Sequence, residues 1–133
     1  KAEMLSDRGR IVFLAVGSMV DVAEKTAIAL SGDGIETAVV NMRFVKPLDT
    51  ALLQELAQRM DFFVTLEENA LAGGFGSAVL EYLADAGLQV PVLRVGIPDA
   101  FIEQGSRSEL WELCGFQPEQ IAERIKKYLS KER

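Results

Sequence analysis

The chain has 133 residues, of which 49% are hydrophobic and 26% charged, and it carries a net charge of −6. This composition predicts a single domain over residues 1–133 that folds without a metal ion or disulfide, and the negative charge argues against nucleic acid or an anionic membrane as a partner. The absence of histidine removes the commonest general base and transition-metal ligand, while the single cysteine, Cys114, excludes an internal disulfide and a cysteine-rich zinc site.

Nothing in the sequence has the length or composition of a membrane segment. No apolar run reaches the roughly 20 residues that a membrane-spanning helix needs. The first ten residues, "KAEMLSDRGR", lack the hydrophobic core of a signal peptide. A reducing cytoplasm is therefore the expected location.

The amino-terminal part predicts a hairpin followed by a helix. The continuous apolar run "IVFLAV" at 11–16 is typical of a strand buried on both faces. Ser18 and Asp21 follow with the spacing of a capping box, and "SGDG" at 31–34 ends the helix. The residues expected to form one face of this helix recur at helical spacing: Met19, Val22, Ala23, Thr26, Ala27 and Leu30. Before it, "AEML" and a turn at "SDRG" predict an antiparallel hairpin with the first apolar strand.

The alternation of strand and helix then repeats. A strand at 35–41 precedes a helix over 50–60 that Asp49 caps, and a strand at 61–67 precedes a helix over 74–86. The expected buried positions are Leu52, Leu53, Leu56 and Met60 in the first of these helices, and Phe75, Ala78, Val79, Tyr82, Leu83 and Ala86 in the second.

The last part of the chain adds a fourth parallel strand at 90–96, a short helix from Ser106 to Gly115 and a final helix that begins at Pro118. The buried stripe of the final helix is Ile121, Ile125, Tyr128 and Leu129. Alternating strands and helices predict an α/β sandwich on a mainly parallel sheet.

The glycine-rich turn at Gly74-Phe75-Gly76 begins like a dinucleotide fingerprint. The third glycine of G-x-G-x-x-G is absent, since position 79 is Val79, and six residues separate Glu67 from Gly74 where the fingerprint needs a tight turn. The favoured interpretation is that the glycines let the helix start pack closely on a neighbouring backbone. A small anion bound at the free N–H groups of the helix is the alternative.

Charged side chains lie at two predicted strand ends. Glu67 and Glu68 are adjacent, so they point to opposite faces and do not form an acid/base pair; one is solvated or caps the next turn, and the other bonds to a partner chain. Arg43 and Lys46 flank an X-Pro turn, for which a structural role is favoured over phosphate binding. Trp111 is expected in the core or an interface.

Three stretches together resemble a known family. They are "VVNMRFVKPLD" (39–49), "EENALAGGFGSAVLEYL" (67–83) and "VGIPDAFIEQGSRSELWELCG" (95–115). Their order and spacing are similar to the carboxy-terminal domain of the 1-deoxy-D-xylulose-5-phosphate synthases, thiamine-diphosphate enzymes of the transketolase superfamily. The middle stretch is shared loosely across the superfamily, whereas the third indicates the synthases.

The resemblance implies a three-layer α/β/α sandwich with a five-stranded, mostly parallel sheet and one antiparallel edge strand. It implies a homodimeric parent enzyme that condenses pyruvate with glyceraldehyde 3-phosphate, with loss of carbon dioxide, using thiamine diphosphate and Mg²⁺ held by its amino-terminal and middle domains. No residue of this chain is then expected to be catalytic, cofactor-binding or metal-binding. The candidates for contact with the partner chain or the middle domain are Glu67, Glu68, Asn69, Gly73, Gly74, Gly76 and Ser77.

Two alternatives to this interpretation stay open. One is the equivalent domain of another superfamily member, such as transketolase or the β subunit of a 2-oxoacid dehydrogenase, against which the third stretch argues. The other is a free-standing module that binds a nucleotide or an anion.

Overall fold

The computed structural model describes residues 2–43, 47–70, 74–97 and 116–131, and for residues 69, 70 and 97 it describes the backbone alone. Five strands lie in these ranges: β1 (Glu3–Ser6), β2 (Ile11–Ala15), β3 (Thr37–Asn41), β4 (Phe62–Ala70) and β5 (Val92–Ile97). Four helices lie there too: α1 (Met19–Gly32), α2 (Thr50–Arg59), α3 (Phe75–Asp85) and α4 (Pro118–Lys131).

The strands form one sheet in the order β1-β3-β2-β4-β5. The strand β1 is antiparallel to β3, and every other pairing is parallel. Helices α1 and α4 pack on one face of the sheet, and α2 and α3 pack on the other. The predicted three-layer sandwich, with one antiparallel edge strand in a five-stranded sheet, is confirmed.

The central strand β2 joins the two halves of the core. All five of its residues are buried, as the apolar run predicts. Phe13 packs on the α1 and α4 side, and Leu14 packs on the α2 and α3 side. Each such side chain contributes about 1.5 to 3 kcal/mol by leaving water, so a strand buried on both faces is favoured at the centre of the sheet.

The predicted hairpin between the first two strands is wrong. Strand β1 pairs with β3, with Met4 opposite Val40, because β2 already has β3 on one side and β4 on the other. The turn from β1 to β2 therefore crosses the start of β3. At the crossing, Gly9 has φ +67° and a Cβ on it would lie 2.1 Å from the carbonyl oxygen of Glu36, so only glycine fits.

Of the two predicted helix caps in the described ranges, the one at Asp49 is confirmed and the one at Ser18 is wrong. Asp49 caps α2, since its carboxylate accepts the backbone N–H of Leu52 at 3.2 Å. The capping box at Ser18 and Asp21 is wrong. Ser18 has a helical backbone, φ −64° and ψ −17°, and its hydroxyl donates to Glu68 instead of accepting an N–H of α1. Asp21 forms an ion pair with Lys25 at 3.0 Å.

The buried stripes of the helices follow the predicted periodicity with small differences. Ala86 is exposed, which corrects its predicted burial, because α3 ends one residue earlier. Tyr128 of α4 is partly buried and stacks on Phe62 of β4, with ring centroids 4.4 Å apart. The predicted short helix from Ser106 to Gly115, with Trp111 and Cys114, lies outside the described residues.

Candidate functional site

The carboxyl ends of the parallel strands meet at one edge of the sheet, which we call the carboxyl edge. Strand β4 reaches this edge and continues three residues beyond its predicted end at Glu67. The segment from Glu67 to Ser77, called here the strand-to-helix turn, leads from β4 into α3. It contains every residue predicted from the sequence as an interface candidate.

Glu67 lies beneath the first turn of α3, where it is 1% exposed. One carboxylate oxygen accepts the backbone N–H of Phe75 and the other that of Gly76, each at 2.6 Å. These amides are among the four at a helix start that have no partner within the helix. Of the two glutamates, Glu67 is therefore the one that caps the next turn.

The glycine at position 76 is required by this close approach. A Cβ there would lie 2.9 Å from Glu67 Oε2 and 2.9 Å from Thr65 Oγ1, and 3.3 Å from the Arg94 side chain. The interpretation that a glycine permits close packing of the helix start is confirmed at Gly76. The prediction that the helix start packs on a neighbouring backbone is wrong at this position. The nearest atoms belong to side chains of β4 and β5.

Arg94 joins the same junction from strand β5. It lies opposite Thr65 in the sheet register, and its guanidinium donates to the Ser77 hydroxyl at 2.9 Å. Burial raises the pKa of the Glu67 carboxyl above its usual range, against the opposing effects of the Gly76 and Phe75 amides and of the Arg94 charge. Thr65 and Arg94 were not among the residues predicted from the sequence. Two sequence patterns could have indicated them: Arg94 is the lone charge in the apolar strand "VLRV", and Thr65 alternates with apolar residues along β4.

Glu68 points to the opposite face from Glu67, as strand alternation predicts. It is half-buried and accepts a hydrogen bond from the Ser18 hydroxyl at the start of α1. A cavity of about 160 Å³ lies here between the ends of β2 and β4, lined by Val16, Gly17, Ser18, Glu67 and Glu68. Helix α1 connects β2 to β3, which lies on one side of β2, whereas β4 lies on its other side. The cavity therefore lies at the point where the strand order reverses, the topological switch point of the sheet.

Of the remaining candidates, those that the structure describes lie along the same edge. Gly74 is the N-cap of α3, and Asn69 lies in β4 with its backbone described, whereas Gly73 lies outside the described residues. Arg43 has φ +57° and donates to the Glu3 carboxylate at 2.9 Å, which supports its structural interpretation. Lys46 is also outside the described residues.

This arrangement excludes two chemistries for the described residues of the turn. The amides of Phe75 and Gly76 already have a carboxylate on them, so they do not offer an open phosphate cradle. Glu67 and Glu68 face opposite sides of the sheet, so they do not share a proton. Within the described ranges, no group of three or more histidine, cysteine, aspartate or glutamate side chains could hold a metal ion. The helices in these ranges are too short or too polar to cross a bilayer.

Comparison with known proteins gives consistent results. The family model "Transketolase, C-terminal domain" matches residues 1–121. The chain is 48% identical over 132 residues to a 1-deoxy-D-xylulose-5-phosphate synthase of Gloeobacter violaceus, covering 99% of this chain and 21% of that protein. It is 46% identical over 133 residues to the protein of the same name from Syntrophotalea carbinolica, again covering 21% of that protein. The chain thus spans about a fifth of the length of these relatives.

Solved structures match as well. The chain superposes with a TM-score of 0.88 and 33% identity on a structure described as a split gene transketolase, inactive beta4 tetramer, covering 100% of this chain and 43% of that one. A transketolase mutant from Pichia stipitis matches with a TM-score of 0.64 and 21% identity, covering 95% of this chain and 17% of that one, which shows the shared fold alone. With the family model matching from residue 1 to 121, the chain belongs to the transketolase C-terminal domain family.

Proposed function

We propose that this chain is the carboxy-terminal domain of a 1-deoxy-D-xylulose-5-phosphate synthase. The observation that carries the proposal is the 48% identity to a relative of that name across 99% of the chain. The parent enzyme would condense pyruvate with glyceraldehyde 3-phosphate with loss of carbon dioxide, a transferase reaction that supplies isoprenoid, thiamine and pyridoxal phosphate synthesis. The domain boundary is taken as residues 1–133.

The role proposed for the domain is assembly and not chemistry. The described residues do not fit thiamine diphosphate or Mg²⁺, because the α3 amides that suit a phosphate already have the Glu67 carboxylate and no group of metal-ligating side chains is present among them. Both cofactors would therefore bind to the amino-terminal and middle domains of the longer enzyme, and this chain alone would be inactive.

The strand-to-helix turn is the proposed contact with the partner chain or the middle domain of a cytoplasmic homodimer. Two observations support this role. Glu68 and the Ser18 hydroxyl present polar groups at the carboxyl edge, beside the switch-point cavity. Glu67 joins the end of β4 to the start of α3, since its carboxylate accepts the backbone N–H groups of Phe75 and Gly76.

The alternatives have less support. Relatives that are 45%, 46% and 48% identical to the chain share the synthase name, which does not favour the equivalent domain of transketolase or of a 2-oxoacid dehydrogenase. The glycine-rich turn does not favour a free-standing nucleotide or anion module, because the Phe75 and Gly76 amides at the start of α3 already have the Glu67 carboxylate.

Calorimetry tests the proposal on the chain itself. Titration of the 133-residue chain with thiamine diphosphate and Mg²⁺ is expected to give no binding heat, and micromolar binding would overturn the assembly role. A thermal-shift series with nucleotides and phosphates is expected to be silent, and a specific shift would favour the binding module. The coding sequence upstream of residue 1 is expected to contain the G-D-G…N diphosphate motif of the superfamily.

A further inference from the structure

The start of α3 has the chemistry of an anion-binding site. The helix has 11 residues, and its first backbone N–H groups point at a pair of carboxylate oxygens at 2.6 Å. Free N–H groups and the positive end of the helix dipole together favour an anion at such a position. Here the anion is the side chain of Glu67, which arrives from the neighbouring strand.

A second polar group faces the same position. Thr65 is 0% exposed, and within the described ranges its hydroxyl has no hydrogen-bond partner. Thr65 Oγ1 and Glu67 Oε2 both lie 2.9 Å from the point where a Cβ on Gly76 would be, so the hydroxyl borders the site of the carboxylate. The Arg94 side chain lies 3.3 Å from that point and adds a positive charge. The carboxylate is thus surrounded by hydrogen-bond donors, which are two amides and a hydroxyl, and by the positively charged Arg94 side chain.

We propose that the start of α3 is a small-carboxylate site that the chain fills with its own Glu67. The amides of Phe75 and Gly76, the hydroxyl of Thr65 and the charge of Arg94 would bind a free carboxylate once the Glu67 side chain is removed. This inference concerns a site within the chain and does not depend on the identity of the parent enzyme. It also explains why a glycine-rich turn at a helix start offers no place for an external phosphate.

The chemistry of the substitution selects the probe. Changing Glu67→Ala removes a methylene group and a carboxylate, which together have the heavy atoms of acetate. Acetate can therefore occupy the vacated space with both oxygens on the two amides. Formate lacks one carbon and is expected to stabilise less, and chloride offers no pair of oxygens for the two amides.

The test is thermal unfolding of the Glu67→Ala chain in acetate, formate and chloride at equal ionic strength and neutral pH. Acetate is expected to raise its melting temperature by about 4 to 7 °C more than chloride does, as for a ligand present at about tenfold its Kd. The wild type, Glu67→Gln and Glu68→Ala chains are expected to show no preference for acetate. In wild type and Glu67→Gln the site is still filled, and in Glu68→Ala the change is on the other face of the sheet.

Two results would overturn the inference. One is an equal effect of acetate and chloride on Glu67→Ala, and the other is an equal acetate effect on all four chains. If Glu67→Ala is unfolded in chloride, acetate is expected to restore its helical circular dichroism, and no recovery counts against the site. In the folded variant, acetate should shift the amide resonances of Phe75 and Gly76 in a ¹⁵N spectrum, and unchanged resonances would contradict binding at α3.

Discussion

The carboxylate of Glu67 lies 2.6 Å from the backbone nitrogen of Gly76, nine residues further along the chain. Strand β4 and helix α3 are thereby joined by a buried side chain and not only by the turn between them. The rest of the site follows from this contact, because it needs a residue without a Cβ at position 76 and donors around the carboxylate.

Substituting Gly76→Ala is expected to lower the free energy of unfolding by about 1 to 3 kcal/mol, since the new Cβ would lie 2.9 Å from Glu67 Oε2 and Thr65 Oγ1. Gly32→Ala is the matched control. It lies at the end of α1 with no atom within 4 Å of a new Cβ, so it should be neutral or stabilise by about 0.5 to 1 kcal/mol. Urea titration of both variants measures the difference, and equal stabilities would contradict the close approach.

Glu67→Gln tests the two amide contacts with little change in volume. An amide group offers one oxygen, so its NH₂ faces a backbone donor and one contact is lost. The expected loss of stability is about 1 to 3 kcal/mol. Glu68→Gln is the control on the adjacent residue, which is half-buried and bonded to Ser18; the glutamine keeps an oxygen that can accept from Ser18, so it should cost less stability than Glu67→Gln. Chemical denaturation that ranked the two variants in the opposite order would contradict the assignment of roles.

The stability contributed by Glu67 should depend on pH in a defined direction. Burial raises its pKa in the folded state above the ordinary value of 4.5, so folding takes up a proton between the two values. The proton-linked part of the stability that Glu67 contributes is therefore fully present below the ordinary value and is lost as the pH rises through the raised one. The difference in unfolding free energy between wild type and Glu67→Gln should grow as the pH falls from neutral toward 4.5. A difference that shrinks over this range would show that the amides and Arg94 outweigh burial.

A comparison of Thr65 with Thr26 measures how much stability a buried hydroxyl loses when it has no hydrogen-bond partner. Both are 0% exposed, but Thr26 donates to the Val22 carbonyl at 2.7 Å, while Thr65 has no partner in the ranges that the structure covers. Thr65→Val should be neutral or stabilise the chain, whereas Thr26→Val should cost about 1 kcal/mol. Calorimetric unfolding of both variants gives the comparison. A loss at Thr65 as large as that at Thr26 would indicate a partner for its hydroxyl.

The sequence predicts the elements of this fold better than it predicts the contacts between them. The run 11–16 and the helical stripes are local patterns, and they match β2 and the buried faces of α1 to α4 closely. The partner of β1 depends on which strand edge remains open after the sheet is assembled, and the hairpin prediction used sequence proximity alone. The role of Ser18 was missed for the same reason, because Glu68 lies 50 residues away.

At the candidate site, too, local patterns were predicted from the sequence but contacts between strands were not. Strand alternation separates Glu67 from Glu68 correctly, and the glycine at 76 indicates a close approach. The two groups that complete the junction, Thr65 and Arg94, come from two neighbouring strands whose register sets them side by side. Register depends on the packing of both faces of the sheet, which no short motif encodes.

If the strand-to-helix turn serves assembly of a larger enzyme, Glu68→Ala and Gly74→Val in the full-length enzyme should both weaken that assembly. Gly74 is partly buried and has φ −88° and ψ −166°, outside the left-handed region that favours glycine, so valine adds bulk without that backbone strain. Glu81→Ala, on the exposed side of α3, is the control for a lost charge. Sedimentation velocity, read together with turnover, should show a weaker homodimer and slower product formation for the two turn variants and not for the control. An unchanged homodimer with unchanged turnover in both turn variants would contradict the assembly role.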